Sequence, residues 1–444
     1  MGLFKSIFKS DIDPKPQLTI QFGRFSDSHK AADNYDAWDA ALKLHEQEEY
    51  MLSYERFFRY IVDPKIDSVT YTEKGGKWHF QLYQGSKLIT GTADYQKIVA
   101  EAKVASMQES HLGVLRKLLE DNFELKYSRY ALDGEQNIVL TFSSSSLDAS
   151  PYKLYHALKE LGTAADKTDD ILIAKHEGLL PINTHHVRDI PRKEKDIKYD
   201  FLTTAIDQCY EALKNTNLNI LKHPGAVSYA YLDLIFKLDY LLKPEGYTMD
   251  AVIRINNLFF KDNAQPLEDK NRRIRHELDK IRELSATDFH RELYEVRSTF
   301  GHTTPSGPNR IKEYIVSELK NMDWYHNEGH QYFSLAIPSY IVGYSLYNYA
   351  MPQPLRRLLH LFYKVIEYPY FIALGSTVEY VKDDLSLHKK NIKKAISSIC
   401  EDAADDYTEL QPNMQQIQFG DIHAFAKSYL LLIADLDFTR KDER

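Results

Sequence analysis

Apolar residues recur along this chain with two different periods, and the changes of period divide it into elements. Between Ala31 and Asp63 the spacing is helical: Ala37, Trp38, Ala41 and Leu44 form one stripe, and Leu52, Tyr54, Phe57, Phe58 and Ile61 form another. An antiparallel helix pair is predicted. From Ile66 the period falls to two, with Val69 and Tyr71, then Trp78, Phe80 and Leu82, alternating with polar neighbours on either side of Gly75-Gly76. Gly85-Ser86 turns the chain again into Leu88 to Thr92, which predicts three antiparallel strands. Tyr95, Ile98, Ala102 and Ala105 then return to helical spacing, continued by Leu112, Leu115, Leu118 and Leu119. Leu125, Tyr127 and Arg129 alternate before the Asp133-Gly134 turn, and Ile138, Leu140 and Phe142 make the returning strand. Pro151 opens a last helix through Tyr155, Leu158 and Leu161 towards Lys175. The expected amino-terminal domain is therefore α+β: a helix pair, then β-β-β-α-β-β-α, with five strands in one antiparallel sheet.

A linker is expected over 177–197, where Pro181 and Pro191 bracket His185-His186 and Arg192 to Asp196 is charged and apolar-free. Beyond it nearly everything is helical. Apolar stripes at Phe201 to Leu213, Tyr229 to Leu242, Val252 to Phe260, Ile274 to Leu284, Phe289 to Val296, Ile311 to Leu319, Tyr340 to Tyr349, Leu355 to Phe371, Ile392 to Ile399 and Phe425 to Leu436 predict an all-α domain. The organisation is thus a flexible segment over 1–30, an α+β domain with a leading hairpin over 31–176, the linker, and a helical domain over 198–444. Within the leading pair, small Ala40, Ala41 and Ser53, large Phe57, Tyr50 at the turn and Pro64 at the exit resemble one tetratricopeptide-type hairpin. No second copy follows at a fixed period, so a solenoid is not expected there.

Residues 66–175 resemble the bacterial YbjN-like domain, which shares its fold with the type III secretion chaperones. The stretches that carry the resemblance are Asn122-Phe123-Glu124-Leu125 before a strand, the Asp133-Gly134 hairpin, Ile138 to Phe142, and the last helix from Pro151 through Asp166. It covers about a quarter of the chain. The resemblance implies a non-catalytic α+β module that binds protein segments or pairs with itself, and it supplies no active-site residues.

Composition narrows the partners. The 444 residues carry a net charge of −8 and no global basic field, so nucleic acid is not an expected partner. Tyr occurs 31 times against 3 Trp, which calls for many rings with an apolar body and a polar tip. Tyr340, Tyr344 and Tyr347 fall at i, i+4 and i+7, with Phe362, Tyr363, Tyr368, Tyr370 and Phe371 soon after. These make a candidate ring-lined groove for a protein or peptide partner, with core packing as the alternative. Only Cys209 and Cys400 could pair, which suggests a reducing, cytoplasmic setting.

Candidate chemistry is sparse. Asp323, His326, Glu328 and His330 could meet a metal, because a four-residue spacing puts two imidazoles on one helix face. Yet no Glu directly follows the first His, and Gly329 weakens the helix, so a solvated turn is expected. Cys209 and Cys400 sit among apolar helical neighbours and read as inert, Ser143 to Ser146 as a polar loop, and Gly75-Gly76 lacks the continuation of a phosphate loop. The basic runs Arg272 to Arg275 and His388 to Lys394 read as solvated helix faces. No cofactor is expected.

The uncharged run Gln331 to Leu355 is broken by Pro338 and Pro352 and holds five tyrosines. It reads as a central buried helix opened by Pro338 and running to Ala350, with no transmembrane segment. The start of the chain lacks a secretory signal pattern. Met1 to Ser6 formally fits an N-myristoylation pattern, and Leu3, Phe4, Ile7 and Phe8 opposite Lys5 and Lys9 form a short amphipathic turn. The expected function is a non-enzymatic protein-binding adaptor or chaperone-like protein. A metal-dependent hydrolase with its site in the helical domain, and a peripheral membrane protein using the first nine residues, are the alternatives; homo-oligomerisation is left open.

Overall fold

In the computed structural model the described residues are 20–24, 30–63, 67–261, 264–297, 300, 304–305 and 307–441. The helix pair forms as its stripes require, α1 (Ala32–Glu46) against α2 (Tyr50–Ile61). They meet through small residues: Ser53 Oγ donates to the Ala41 carbonyl at 2.8 Å, a contact that a larger side chain would prevent. Strands β1 (Val69–Lys74), β2 (Lys77–Gln84), β3 (Lys87–Ala93) and β4 (Lys97–Met107) make an antiparallel meander. Next come α3 (Leu112–Asp121), β5 (Arg129–Leu132), β6 (Asn137–Ser145), the long α4 (Pro151–Lys175) and β7 (Leu179–Leu180). Ser150 caps α4 by accepting the Lys153 N–H, and Pro151 sits in its first turn, where a missing N–H costs nothing. The sheet order is β1-β2-β3-β4-β6-β5, with β7 paired to the far end of β4.

The α+β class is as expected, but the sheet has one long strand where a helix was predicted. Ile98, Ala100, Ala102 and Val104 are buried while Val99, Glu101 and Lys103 are half-exposed, a period of two that the alanines disguise. The segment pairs on both sides, with β3 and β6, and satisfies its backbone in the middle of the sheet. Central position overrides the helix propensity of alanine, because small residues let α4 lie close over the sheet. The sheet therefore has seven strands rather than five.

Helices α5 (Arg192–Asn215), α6 (Pro224–Leu242), α7 (Gly246–Phe260), α8 (Leu267–Arg282) and α9 (Ala286–Arg291) begin the helical half. A two-residue strand β8 (Arg188–Asp189) precedes α5 and pairs with β9 (Tyr294–Glu295); β10 (Thr304–Pro305) pairs with β11 (Tyr349–Ala350). The remainder is α10 (Pro308–Leu319), α11 (Met322–Asn327), α12 (Gln331–Asn348), α13 (Gln353–Ile366), α14 (Tyr368–Ala373), α15 (Lys389–Glu401) and α16 (Ile422–Asp435). Two expectations shift. Arg192 to Asp196, read as linker, is the first turn of α5. Pro338 does not open its helix: α12 starts at Gln331 and runs through it, because Phe333, Ala336 and Ile337 are all buried. Burying those side chains outweighs the ~3 kcal/mol that an interior proline costs. Among the described residues no helix is long and apolar enough to cross a membrane.

Each half is pinned by a segment that belongs in sequence to the other. Residues 20–24 lie on the helical half: the Gly23 N–H donates to the Tyr240 carbonyl at 2.8 Å, and the Phe22 ring sits 4.9 Å from that of His360. Arg24 pairs with Asp239 at 3.0 Å and Glu245 at 2.9 Å. In the opposite direction, the chain after β9 returns to the sheet domain. Arg297 bridges to Gly85, and Phe300 is buried in the α+β core, its ring 5.5 Å from Tyr155 and its N–H 2.8 Å from Gln84 Oε1.

Candidate functional site on the uncovered sheet face

Strand alternation gives the sheet two unlike faces. One carries Tyr71, Phe80, Ala100 and Phe142 side by side in register, and the Phe58 ring of α2 packs 4.8 Å from Phe80. The other is polar and left open by the helices. There Thr70, Gln81, Thr90, Glu101 and Thr141 stand in one cross-strand row, and Thr72, His79, Thr92, Val99 and Ser143 in the next. At about 4.8 Å per strand such a row spans roughly 19 Å. The face is curved enough to enclose a groove of about 690 Å³ lined by these residues. Threonines suit it doubly, since the β-branch favours a strand and the hydroxyl both donates and accepts. Chemically the face offers hydrogen bonds and one imidazole, His79, flanked in its row by the hydroxyls of Thr72 and Thr92.

A cluster of strongly perturbed carboxyls lies elsewhere, at the junction of the two halves. Asp166, Asp169 and Asp170 project from α4 towards the β2–β3 turn and the helical half. The Ser86 N–H donates to Asp166 Oδ1 at 2.7 Å, Ser86 Oγ donates to Asp169 Oδ2 at 2.7 Å, and Lys87 Nζ meets the same oxygen at 2.6 Å. Tyr294 donates its hydroxyl hydrogen to Asp170. Burial, then the charges of Glu245 and Asp169, push the Asp166 carboxyl up to about 8. Burial raises Asp169 despite Lys87, and burial with the Asp169 charge raises Asp170 further. Glu292 rises to about 7 and the Lys243 ammonium falls to about 8, burial leading in both. Asp166, Asp169 and Lys243 are buried, and Asp170 and Glu292 half-buried. The bonds to Ser86 and Lys87 fasten α4 to the β2–β3 turn, and the Tyr294–Asp170 bond latches the same helix to the helical half. Sequence reasoning did not single out Asp166, Asp169 and Asp170. Their signal is that i, i+3 and i+4 put three carboxyls on one face of a helix.

The residues singled out by sequence fall as follows. Tyr340 and Tyr347 are 5% and 8% exposed, and Tyr344 is half-buried. Their rings surround Phe236 of α6 at 6.2, 5.0 and 5.7 Å respectively. They are core residues, so the expected open groove is filled by Phe236. Asp323, His326, Glu328 and His330 do not converge. Gly329, at φ +77°, ends α11 before α12 begins, so the two histidines never share a helix. Asp323 is held by Lys427 at 2.6 Å, His326 Nδ1 lies 3.1 Å from Gln331 Oε1, and the His330 ring contacts Trp324. Among the described residues no group of three or more His, Cys, Asp or Glu is placed to hold a metal. Cys209 and Cys400 are buried free thiols pushed up to about 11 by burial. The amphipathic turn at residues 1–9 lies outside the described residues.

The fold defines an α+β sheet domain latched to a helical one. No protein-family model and no curated protein matches the chain.

Proposed function

We propose that this is a non-enzymatic, protein-binding adaptor or chaperone-like protein of the bacterial cytoplasm, and that it holds an extended polypeptide segment on the open face of its sheet. The observation that carries the reading is the pair of adjacent polar rows from Thr70 to Thr141 and Thr72 to Ser143, left bare by helices that cover only the opposite face. An extended chain has unpaired N–H and C=O groups at regular intervals, and hydroxyl, amide, carboxylate and imidazole side chains in rows can meet them. The resemblance of residues 66–175 to YbjN-like and secretion-chaperone domains supports the same class, although four strands precede the middle helix here where that resemblance implies three. Two buried free thiols suit a reducing compartment.

The test is selection of unstructured twelve-residue peptides by display against the wild-type protein, followed by titration against the double variant Gln81→Arg, Thr90→Arg. Both positions are exposed, so the variant should fold normally. Selected peptides should bind the variant at least about tenfold more weakly, a loss of ~1.4 kcal/mol. Peptides that bind both proteins equally, or a selection that enriches none, would overturn the assignment.

A further inference from the structure

A second concavity lies in the helical half, between α13, the segment 377–380 and α15, with a volume of about 580 Å³. Its floor is apolar: Leu361, Tyr380, Ala395 and Ile399 line it. Its rim is cationic, with Arg357, Lys364 and Lys394 on two facing helices and one carboxylate, Glu379. Arg357 is balanced by Asp402 at 2.7 Å. Lys364 and Lys394 make no ion pair or hydrogen bond among the described residues. Lys364 is half-buried, and its desolvation together with the Arg357 charge holds its ammonium below the ordinary lysine range. His360, at the inner end, accepts or donates at 3.1 Å to Tyr240 through Nδ1. It stays neutral because burial and the Lys364 and Arg356 charges push it down to about 3.

A half-desolvated ammonium beside a guanidinium is held at a cost, and a surface that needed only solubility would carry the charge outward. The apolar floor immediately beneath these cations supplies the other half of an amphiphile's requirements. We propose that this cleft binds a small amphiphilic anion, a carboxylate or phosphate head on an apolar body, with Lys364 and Lys394 on the head and Leu361, Ala395 and Ile399 against the body. The anion restores the missing counter-charge, and a head group forms charge-assisted hydrogen bonds to both ammonium groups. The site is separate from the sheet face and stands or falls without it.

The experiment is calorimetric titration of the full chain at neutral pH with four probes: decanoate, octyl phosphate, inorganic phosphate and 1-octanol. The first two should bind, the tighter identifying the head group, and the last two should bind at least about tenfold more weakly. Lys364→Met keeps the stem that packs on the floor and removes the charge. It should weaken the better amphiphile about tenfold or more without changing the melting temperature. Val378→Glu, at a position 46% exposed, should weaken binding by repulsion and guards against a misfolded Lys364 variant. Equal affinity of wild type and both variants for the amphiphiles, inorganic phosphate binding as tightly as octyl phosphate, or no binding by either amphiphile would overturn the site.

Discussion

Gly85 is the residue on which the junction turns. It adopts φ +54°, and a Cβ placed there would lie 1.9 Å from Asp166 Oδ1 and 2.0 Å from Oδ2. The turn is thus pressed onto the carboxyl so closely that the next residue, Ser86, can donate both its N–H and its hydroxyl hydrogen to the aspartates of α4. Gly85→Ala should lower stability by about 2–3 kcal/mol, from left-handed backbone strain plus overpacking against the carboxyl. A urea midpoint that falls without a change in slope checks this. The two contributions separate in a double-mutant cycle. In an Asp166→Ala background the same substitution should cost only about 1 kcal/mol, the part owed to backbone conformation. Equal costs in both backgrounds would show that the carboxyl contact carries nothing.

At the scale of elements, Phe300 shows how far apart in sequence the parts of one core can be. It lies in the α+β core more than a hundred residues after α4 ends, fully buried. Phe300→Ala should cost about 3–5 kcal/mol, as large-to-small changes of aromatic core residues do. Hydrogen exchange should place the loss: amides of β2, β3 and β4 should lose protection while those of α6 and α12 keep theirs. Uniform loss across both halves would mean that the two cores unfold as one. Phe300 also marks where sequence reading stops. The helix pair, the β1–β2 and β2–β3 turns, the β5–β6 hairpin and α4 were legible because each is coded locally, by period and by Gly or Pro punctuation. β4 was misread because alternating alanines satisfy both periods, and only its two neighbours in the sheet decide between them. The polar rows were present in the sequence as the complement of each strand's apolar residues. What gathers them into one groove is strand order, with β6 inserted beside β4, and order depends on non-local pairing that no local pattern records. The tyrosines of α12 carried the right periodicity for a stripe, yet whether a stripe faces a cleft or a helix depends on α6, a hundred residues earlier.

For the whole molecule, the latch makes the union of the halves a function of pH. Asp166, Asp169, Asp170 and Glu292 all hold protons more tightly in the folded protein than an exposed carboxyl does. Where the native state binds more protons than the unfolded chain, stability falls as pH rises. That window opens near the ordinary carboxyl value of 3.8 and closes for Asp166 at about 8. Within it each such proton contributes a slope of up to about 1.4 kcal/mol per pH unit. Lys243 acts in the opposite sense but later: lowered from 10.5 to about 8, it makes stability rise only above that pH. On the acid side, Asp94 and Asp133 are held down to about 2. Lys77, with the N–H groups of Gln96 and Lys97, lowers Asp94; burial opposes the shift of Asp133, but Asn137, Glu135 and Lys103 outweigh it. Their contribution is lost as pH falls below the ordinary carboxyl range. Neutral His360 opposes these carboxyls: pushed down to about 3 by burial, it makes stability rise with pH up to the ordinary imidazole value of 6.5 and adds no slope beyond it. The melting temperature should therefore change little through the mildly acid range and decline from about pH 6.5 towards pH 8. Asp166→Asn keeps an oxygen for the Ser86 N–H and removes the titration. It should flatten that decline by about one proton's worth of slope and leave the variant more stable than wild type at pH 8, less different at pH 5. A wild-type profile that rises from pH 6.5 to 8, or an Asp166→Asn profile parallel to it, would place the carboxyl in solvent and dissolve the latch. Because Arg297 and Phe300 pair with Gly85 and Gln84, and the neighbouring Ser86 hangs from Asp166, the decline should be steepest in exchange protection at Ser86 and Phe300. The halves would then loosen at their junction first as pH rises.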